Sequence, residues 1–197
     1  MSATPPLERP TIGDLLHFVP RGPEAFAADL GGWVLVGQIP DAASGWSFRT
    51  APLKGTRAVR APTGEVEAML DESWAALVVK KRPGSGFPDT IFVGRATSND
   101  VCVPHTSVSK LHARMRMVGD GLFLQDGGSS NGTLVNGDVV GADVDVPLVH
   151  GDLLRLGSIL LQCFEPVRLH SVLARFMAAR KGELGLGPTP SPRGRRP

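Results

Sequence analysis

Hydrophobic and polar positions alternate most regularly where Leu111, Ala113, Met115 and Met117 interleave with His112, Arg114 and Arg116. A period of two describes a strand with one dry and one wet face, so Leu111 to Val118 is expected as a half-buried strand with His112 facing outward. Similar short, β-prone runs cover residues 75–81, 90–93, 101–103, 121–125, 133–135, 152–156 and 158–164, each bounded by turn residues. Between Thr133-Leu-Val135 and Val139-Val140 stands Asn136-Gly137, the pair that a two-residue type I′ hairpin turn favours. Eight or more short strands at this spacing predict an all-β fold, an antiparallel β-sandwich.

The flanks read differently. Thr11 is placed to cap a short amphipathic helix (Ile12, Leu15, Leu16, Val19) that Pro20 stops. Pro23 opens a second helix with Phe26, Ala27 and Leu30 inward, ending at Gly31-Gly32. Strands are expected over residues 33–39 and 46–50, a third over 56–60, and a helical turn over 65–71. After Phe164 the spacing of Leu169, Val172, Leu173 and Phe176 predicts a helix over 168–182. The resulting organisation is a loose arm (1–10), a small α/β extension of unknown role (11–72), the sandwich (73–167), the helix (168–182), and a basic Pro/Gly tail (183–197) expected to be disordered.

Composition narrows the function classes. The chain has 197 residues, 42% hydrophobic and 20% charged, with a net charge of +2 to which Arg193, Arg195 and Arg196 contribute. There is no basic stripe of the kind that tracks a nucleic-acid backbone, so no nucleic-acid partner is expected. No apolar run reaches the length of a membrane span, and the start lacks a signal-peptide pattern; no membrane association and a cytoplasmic location are the expectations. Cys102 and Cys163 lie in apolar runs and read as buried small hydrophobes. Neither a metal site nor a cofactor site is expected. The Asn131-Gly132-Thr133 acceptor pattern is then fortuitous.

Candidate chemistry sits on the loops. Gly94-Arg95, Asn99-Asp100, Ser109-Lys110-Leu111-His112, Asp126, Ser129 to Thr133, Asn136-Gly137, Gly151-Asp152 and Leu156-Gly157 follow in order along the β-rich segment. In this order and spacing they resemble the forkhead-associated (FHA) domain, a β-sandwich of about eleven strands that binds phosphothreonine peptides through its loops. The resemblance covers roughly half of the chain. It implies that Arg95, Ser109, Lys110, Ser130 and Asn131 contact the phosphopeptide, with Gly94, His112, Asp126, Gly132, Thr133 and Asn136 supporting the site.

The residue types suit that chemistry. A phosphothreonine carries nearly two negative charges and three strong acceptors, which the planar fork of Arg95 can meet in a fixed geometry and Lys110 can meet as a charge. Hydroxyls at Ser109 and Ser130 can donate to the phosphate. Asn131 can bond a peptide backbone as both donor and acceptor. By the resemblance, His112 is architectural and holds the serine loop in place. Ser107 stands at a position that often sets sequence preference in the family and has no charge, so selection for an aspartate is not expected there. The loops 103–109 and 140–148 are expected to set preference instead.

The function implied is a non-catalytic adaptor that binds a Thr-phosphorylated protein or peptide, a Ser/Thr kinase or its substrate, downstream of such kinases. The alternative is a phosphate-independent interaction or structural module. An enzyme in the first 70 residues is disfavoured: that stretch has no P-loop, no metal-ligand cluster and no nucleophile elbow, and His17 stands alone on a short helix.

Overall fold

The computed structural model describes residues 10–40, 70–84 and 86–180. The strands expected over 46–50 and 56–60, the arm before Pro10 and the tail after Arg180 lie outside the described residues, as does most of the helical turn expected over 65–71.

At the N-terminus local chemistry decides the elements. Helix α1 (Ile12–Leu16) starts on a capping box: the Asp14 carboxylate accepts the Thr11 N–H at 2.8 Å, and the Thr11 hydroxyl accepts the Asp14 N–H at 3.3 Å. Pro20 falls in a 3-10 turn (Val19–Arg21) that separates α1 from α2 (Pro23–Leu30). Gly31 then closes α2 in the left-handed conformation at φ 67°.

Among the described residues, eleven strands follow in two sheets. They are β1 (Trp33–Gly37), β2 (Ala75–Val79), β3 (Ile91–Gly94), β4 (Val101–Cys102), β5 (Ala113–Val118), β6 (Gly121–Asp126), β7 (Thr133–Val135), β8 (Asp138–Val139), β9 (Val146–Leu148), β10 (Leu153–Leu156) and β11 (Ile159–Phe164). Helix α3 (Pro166–Arg180) ends the described chain and begins two residues before the expected start, on a proline suited to a first turn. The first sheet has the order β2-β1-β11-β10-β7-β8 and the second β4-β3-β5-β6-β9. All neighbours are antiparallel except β3 and β4, which run parallel through Val93↔Val101 and Gly94↔Cys102. Asn136 (φ 52°) and Gly137 (φ 92°) form the β7–β8 turn with both central residues left-handed, as a type I′ turn requires.

Two strands depart from what the sequence predicts. Strand β9 was not expected, because Pro147 interrupts its apolar run; it is an edge strand, where a missing N–H is tolerated. Strand β1, placed by the sequence reading in the N-terminal extension, pairs with β2 through Trp33↔Val79 and with β11 through Val34↔Phe164.

That placement gives β1 two buried faces. Leu35 points into the core between the sheets with Val93, Met115, Leu124, Leu154 and Leu161. Val34 and Val36 point the other way, into a second core with Ile12, Phe26, Phe164, Leu169 and Leu173. A strand covered on both sides reads as the continuous run Trp-Val-Leu-Val-Gly instead of alternating. The three helices thus form a third layer on the outside of the first sheet. Cys163 is buried and Cys102 only half-buried, so the expectation of two buried cysteines holds for one; both are free thiols. The wet-and-dry pattern of β5 also ends early, since Met117 projects beyond the core and is exposed.

Candidate functional site

The loops β3–β4, β4–β5 and β6–β7 meet at one end of the sandwich. The first contact is made by backbone. Arg95 N–H donates to the Ser109 carbonyl at 2.9 Å and Ala96 N–H to the Lys110 carbonyl at 3.2 Å. Such close approach requires a glycine before Arg95: a Cβ on Gly94 would lie 2.4 Å from the Lys110 oxygen. The Arg95 side chain is partly anchored, its Nε donating to the Val108 carbonyl at 3.1 Å.

Asn99 completes this contact. It is buried, and its Nδ2 donates to the carbonyls of Ala96 at 2.9 Å and Lys110 at 2.6 Å. Asn99 stands in a loop motif whose sequence shows no role for it; what its amide meets emerges only with the folded loops. Its neighbour Asp100 takes Lys81 at 2.8 Å and the N–H groups of Arg82 and Phe92. Burial pushes the Asp100 carboxyl up, but these bonds outweigh it and hold its pKa below the usual range.

His112 joins the second loop to the third. The alternation placed its ring outward; instead it is fully buried. The reason is local: β5 starts at Ala113, so His112 belongs to the preceding turn, where its N–H donates to the Val93 carbonyl at 2.8 Å. Its Nδ1 accepts the Ser109 N–H at 3.0 Å, and Nε2 sits 3.2 Å from the Gly132 carbonyl. An amide can only donate, so Nδ1 is the acceptor and Nε2 carries the proton that Gly132 receives. Burial lowers the imidazole pKa, and the Gly132 carbonyl and the charge of Asp126 pull it partly back. The neutral ring is the form these contacts need.

Asp126 shapes the third loop from the end of β6. Its carboxylate accepts from Gly128 N–H (2.9 Å), Ser129 N–H (2.8 Å), the Ser129 hydroxyl (2.6 Å) and the Thr133 hydroxyl (2.8 Å). Burial raises its pKa, yet the hydrogen bonds from Ser129, Thr133 and Gly128 win and hold it low. With the loop wound this way, Ser130 N–H donates to the Ser109 hydroxyl at 3.0 Å and Asn131 Nδ2 to the Ser107 carbonyl at 2.8 Å.

The five expected contact residues therefore converge on the stretch 107–110. Arg95, Lys110, Ser130 and Asn131 are exposed and Ser109 is half-buried. Among the described residues no acidic side chain pairs with Arg95 or Lys110, which leaves a positive rim over two serine hydroxyls and an asparagine. Asn136 is not part of this cluster. Its Nδ2 donates to Asp152 at 2.8 Å and its Oδ1 accepts the Leu153 N–H at 3.0 Å, tying β7 to β10. The Ser107 hydroxyl is likewise engaged: it lies 2.8 Å from His105 Nδ1 and 2.7 Å from the Ser158 hydroxyl, and accepts the Ser158 N–H at 3.0 Å. Groups of three or more His, Cys, Asp or Glu able to hold a metal are absent among the described residues.

Residues 91–157, which carry all of these loops, match the family model of the FHA domain. The chain carries an FHA domain over this segment. FHA domains are binding modules. The chain is 38% identical over 73 residues to the ABC transporter ATP-binding/permease protein Rv1747 of Mycobacterium tuberculosis, a stretch that is 36% of this chain and 8% of the transporter. It is 35% identical over 97 residues to the oxoglutarate dehydrogenase inhibitor of Corynebacterium jeikeium, covering 47% of this chain and 65% of that one. It thus spans less than two thirds of either curated relative. Among solved structures, an FHA domain from a structural and functional analysis of phosphothreonine-dependent FHA domain interactions is 31% identical with a TM-score of 0.36, covering 42% of this chain and 88% of the FHA domain. No helix among the described residues is long and apolar enough to cross a membrane.

Proposed function

We propose that this chain is a non-catalytic signalling adaptor that binds phosphothreonine peptides through the loops held by His112. The observation that carries the reading is the convergence of Arg95, Lys110, Ser109, Ser130 and Asn131 on one rim, with the supporting polar groups already paired beneath them. Arg95 uses Nε to hold the Val108 carbonyl, and its terminal nitrogens, without an ion pair among the described residues, can meet phosphate oxygens as a fork. Lys110 supplies a second positive charge, Ser109 and Ser130 donate hydroxyls, and Asn131 clamps the peptide backbone beside the phosphate.

Because Arg95, Ser109 and Asn131 are tied to neighbouring loops before ligand arrives, the ordering cost of binding falls mainly on Lys110. The compact site supports micromolar affinity, roughly 8 kcal/mol of binding free energy. The partner is a Thr-phosphorylated protein, a Ser/Thr kinase or its substrate, and the chain acts downstream of such kinases. Titration of the full chain with a phosphothreonine peptide and its unphosphorylated twin tests this. Binding of the phosphorylated form alone, lost in Arg95→Ala, is expected. Equal binding of both peptides would instead favour a phosphate-independent interaction module.

A further inference from the structure

On the outer face of the first sheet, the cross-strand register puts Leu160, Arg155, Leu134 and Val139 in one row across β11, β10, β7 and β8. The neighbours of each along its strand (Ile159 and Leu161, Leu154 and Leu156, Thr133 and Val135) are buried in the sandwich, so the row faces away from that core. The helical layer covers the other part of this face, over Val34, Val36, Ala76 and Phe164. It leaves the two ends of the row bare, with Leu160 52% and Val139 77% exposed, and the middle, Arg155 and Leu134, half-buried. In the middle of this strip Arg155 holds its Nε buried without a hydrogen-bond partner.

We propose that this strip is a docking surface for an amphipathic helix of a partner protein that presents a carboxylate to Arg155. Charge decides the chemistry: a half-buried guanidinium with no ion pair among the described residues, set among leucines and a valine, is matched by apolar side chains around one Asp or Glu. Shape decides the element. From β11 to β8 there are three strand spacings of about 4.8 Å, or roughly 14 Å, a width that one helix of about 10–12 Å fills. A helix there would extend the layer that α1, α2 and α3 already form on the same sheet. The strip is separate from the phosphopeptide rim, so this inference stands apart from the proposed function.

The test is selection of about 20-residue amphipathic helices displayed on phage against the full chain. Expected are helices with apolar residues at i and i+4 around an Asp or Glu. Their affinity should fall at least tenfold in Leu160→Glu and in Arg155→Glu. Replacing the helix carboxylate by lysine should restore binding to Arg155→Glu, and Arg95→Ala should leave it unchanged. Val139→Glu, at the most exposed position, serves if Leu160→Glu does not fold. Selected helices without an acidic residue, or affinity indifferent to these variants, would overturn the proposal. So would sedimentation showing a dimer that Leu160→Glu dissociates, or a photocrosslinker at position 160 that captures residues 41–69 of the same chain.

Discussion

His112 Nδ1 accepts the backbone N–H of Ser109 at 3.0 Å, and through this bond a buried ring sets the position of a hydroxyl at the rim of the site. Because Nε2 of the same ring reaches the Gly132 carbonyl at 3.2 Å, one side chain fixes the spacing between the Ser109 loop and the Asn131 loop. Loop spacing at the rim and fold stability are therefore linked at a fully buried residue.

Replacing His112 by alanine should expose that link. The change leaves a cavity, an unmet Ser109 N–H and an unmet Gly132 carbonyl, together about 3 kcal/mol of lost stability. Phosphopeptide affinity should fall as well, although no contact group has been removed. Urea unfolding and calorimetric titration of the same variant measure the two effects. A variant that loses stability while keeping full affinity would separate them.

Acid should act on the same residue. Burial lowers the folded pKa of His112 below its ordinary 6.5, so below pH 6.5 the unfolded chain takes up the proton first. The His112 contribution is present above that pH and is lost as pH falls toward the folded pKa. Asp126 and Asp100 have the same sense at lower pH, since their pKa values are held below 3.8: their contributions are present above pH 3.8 and fade below it. Unfolding of the free protein should thus show two separate losses, the first absent in His112→Asn. Peptide binding is the less clean measurement, because the phosphate itself titrates near pH 6.

Glycine positions around the site should differ in kind. At Gly94 the backbone is ordinary but space is lacking, with the Lys110 oxygen 2.4 Å and the Ser109 oxygen 2.9 Å from an added Cβ. At Gly132 space is free but φ is +76°. Gly94→Ala must push the Ser109-Lys110 turn off β3, a crowding effect of about 1–3 kcal/mol with a large loss of binding. Gly132→Ala keeps the loops in place and costs about 1–2 kcal/mol of backbone strain. Melting temperature and peptide affinity recorded for both variants would distinguish crowding from strain.

What was legible in the sequence was what local chemistry decides. Thr11 before a helix, Gly31 after one and Asn136-Gly137 between strands each specify a geometry within a few residues, and each is found. Misreadings began where distant partners decide. Alternation puts His112 outward because nothing local shows that β5 starts at Ala113, two residues after Leu111. Pro147 hides an edge strand whose one strand neighbour among the described residues is β6. The site loops were recognisable as a set, whereas the buried work of Asn99 and Ser107 depends on carbonyls and hydroxyls brought from other loops.

Arg95 and Lys110 should also prove unequal. Both place positive charge at the rim, but Arg95 is anchored at Val108 and offers a rigid fork, while the Lys110 side chain has no hydrogen bond or ion pair among the described residues. Removing a fixed, charge-assisted contact costs about 1.5–3 kcal/mol, so Arg95→Ala should weaken a phosphothreonine peptide by roughly ten- to a hundredfold. Lys110→Ala, which removes a mobile and screened charge, should cost about 1 kcal/mol or less at physiological salt. Raising salt should then narrow the gap between wild type and Lys110→Ala more than the gap to Arg95→Ala. Arg95→Lys decides whether geometry or charge matters, since lysine keeps the charge but not the fork or the hold on Val108. Affinity close to that of Arg95→Ala means that the fork is the recognising feature; affinity close to wild type would reduce Arg95 to a point charge.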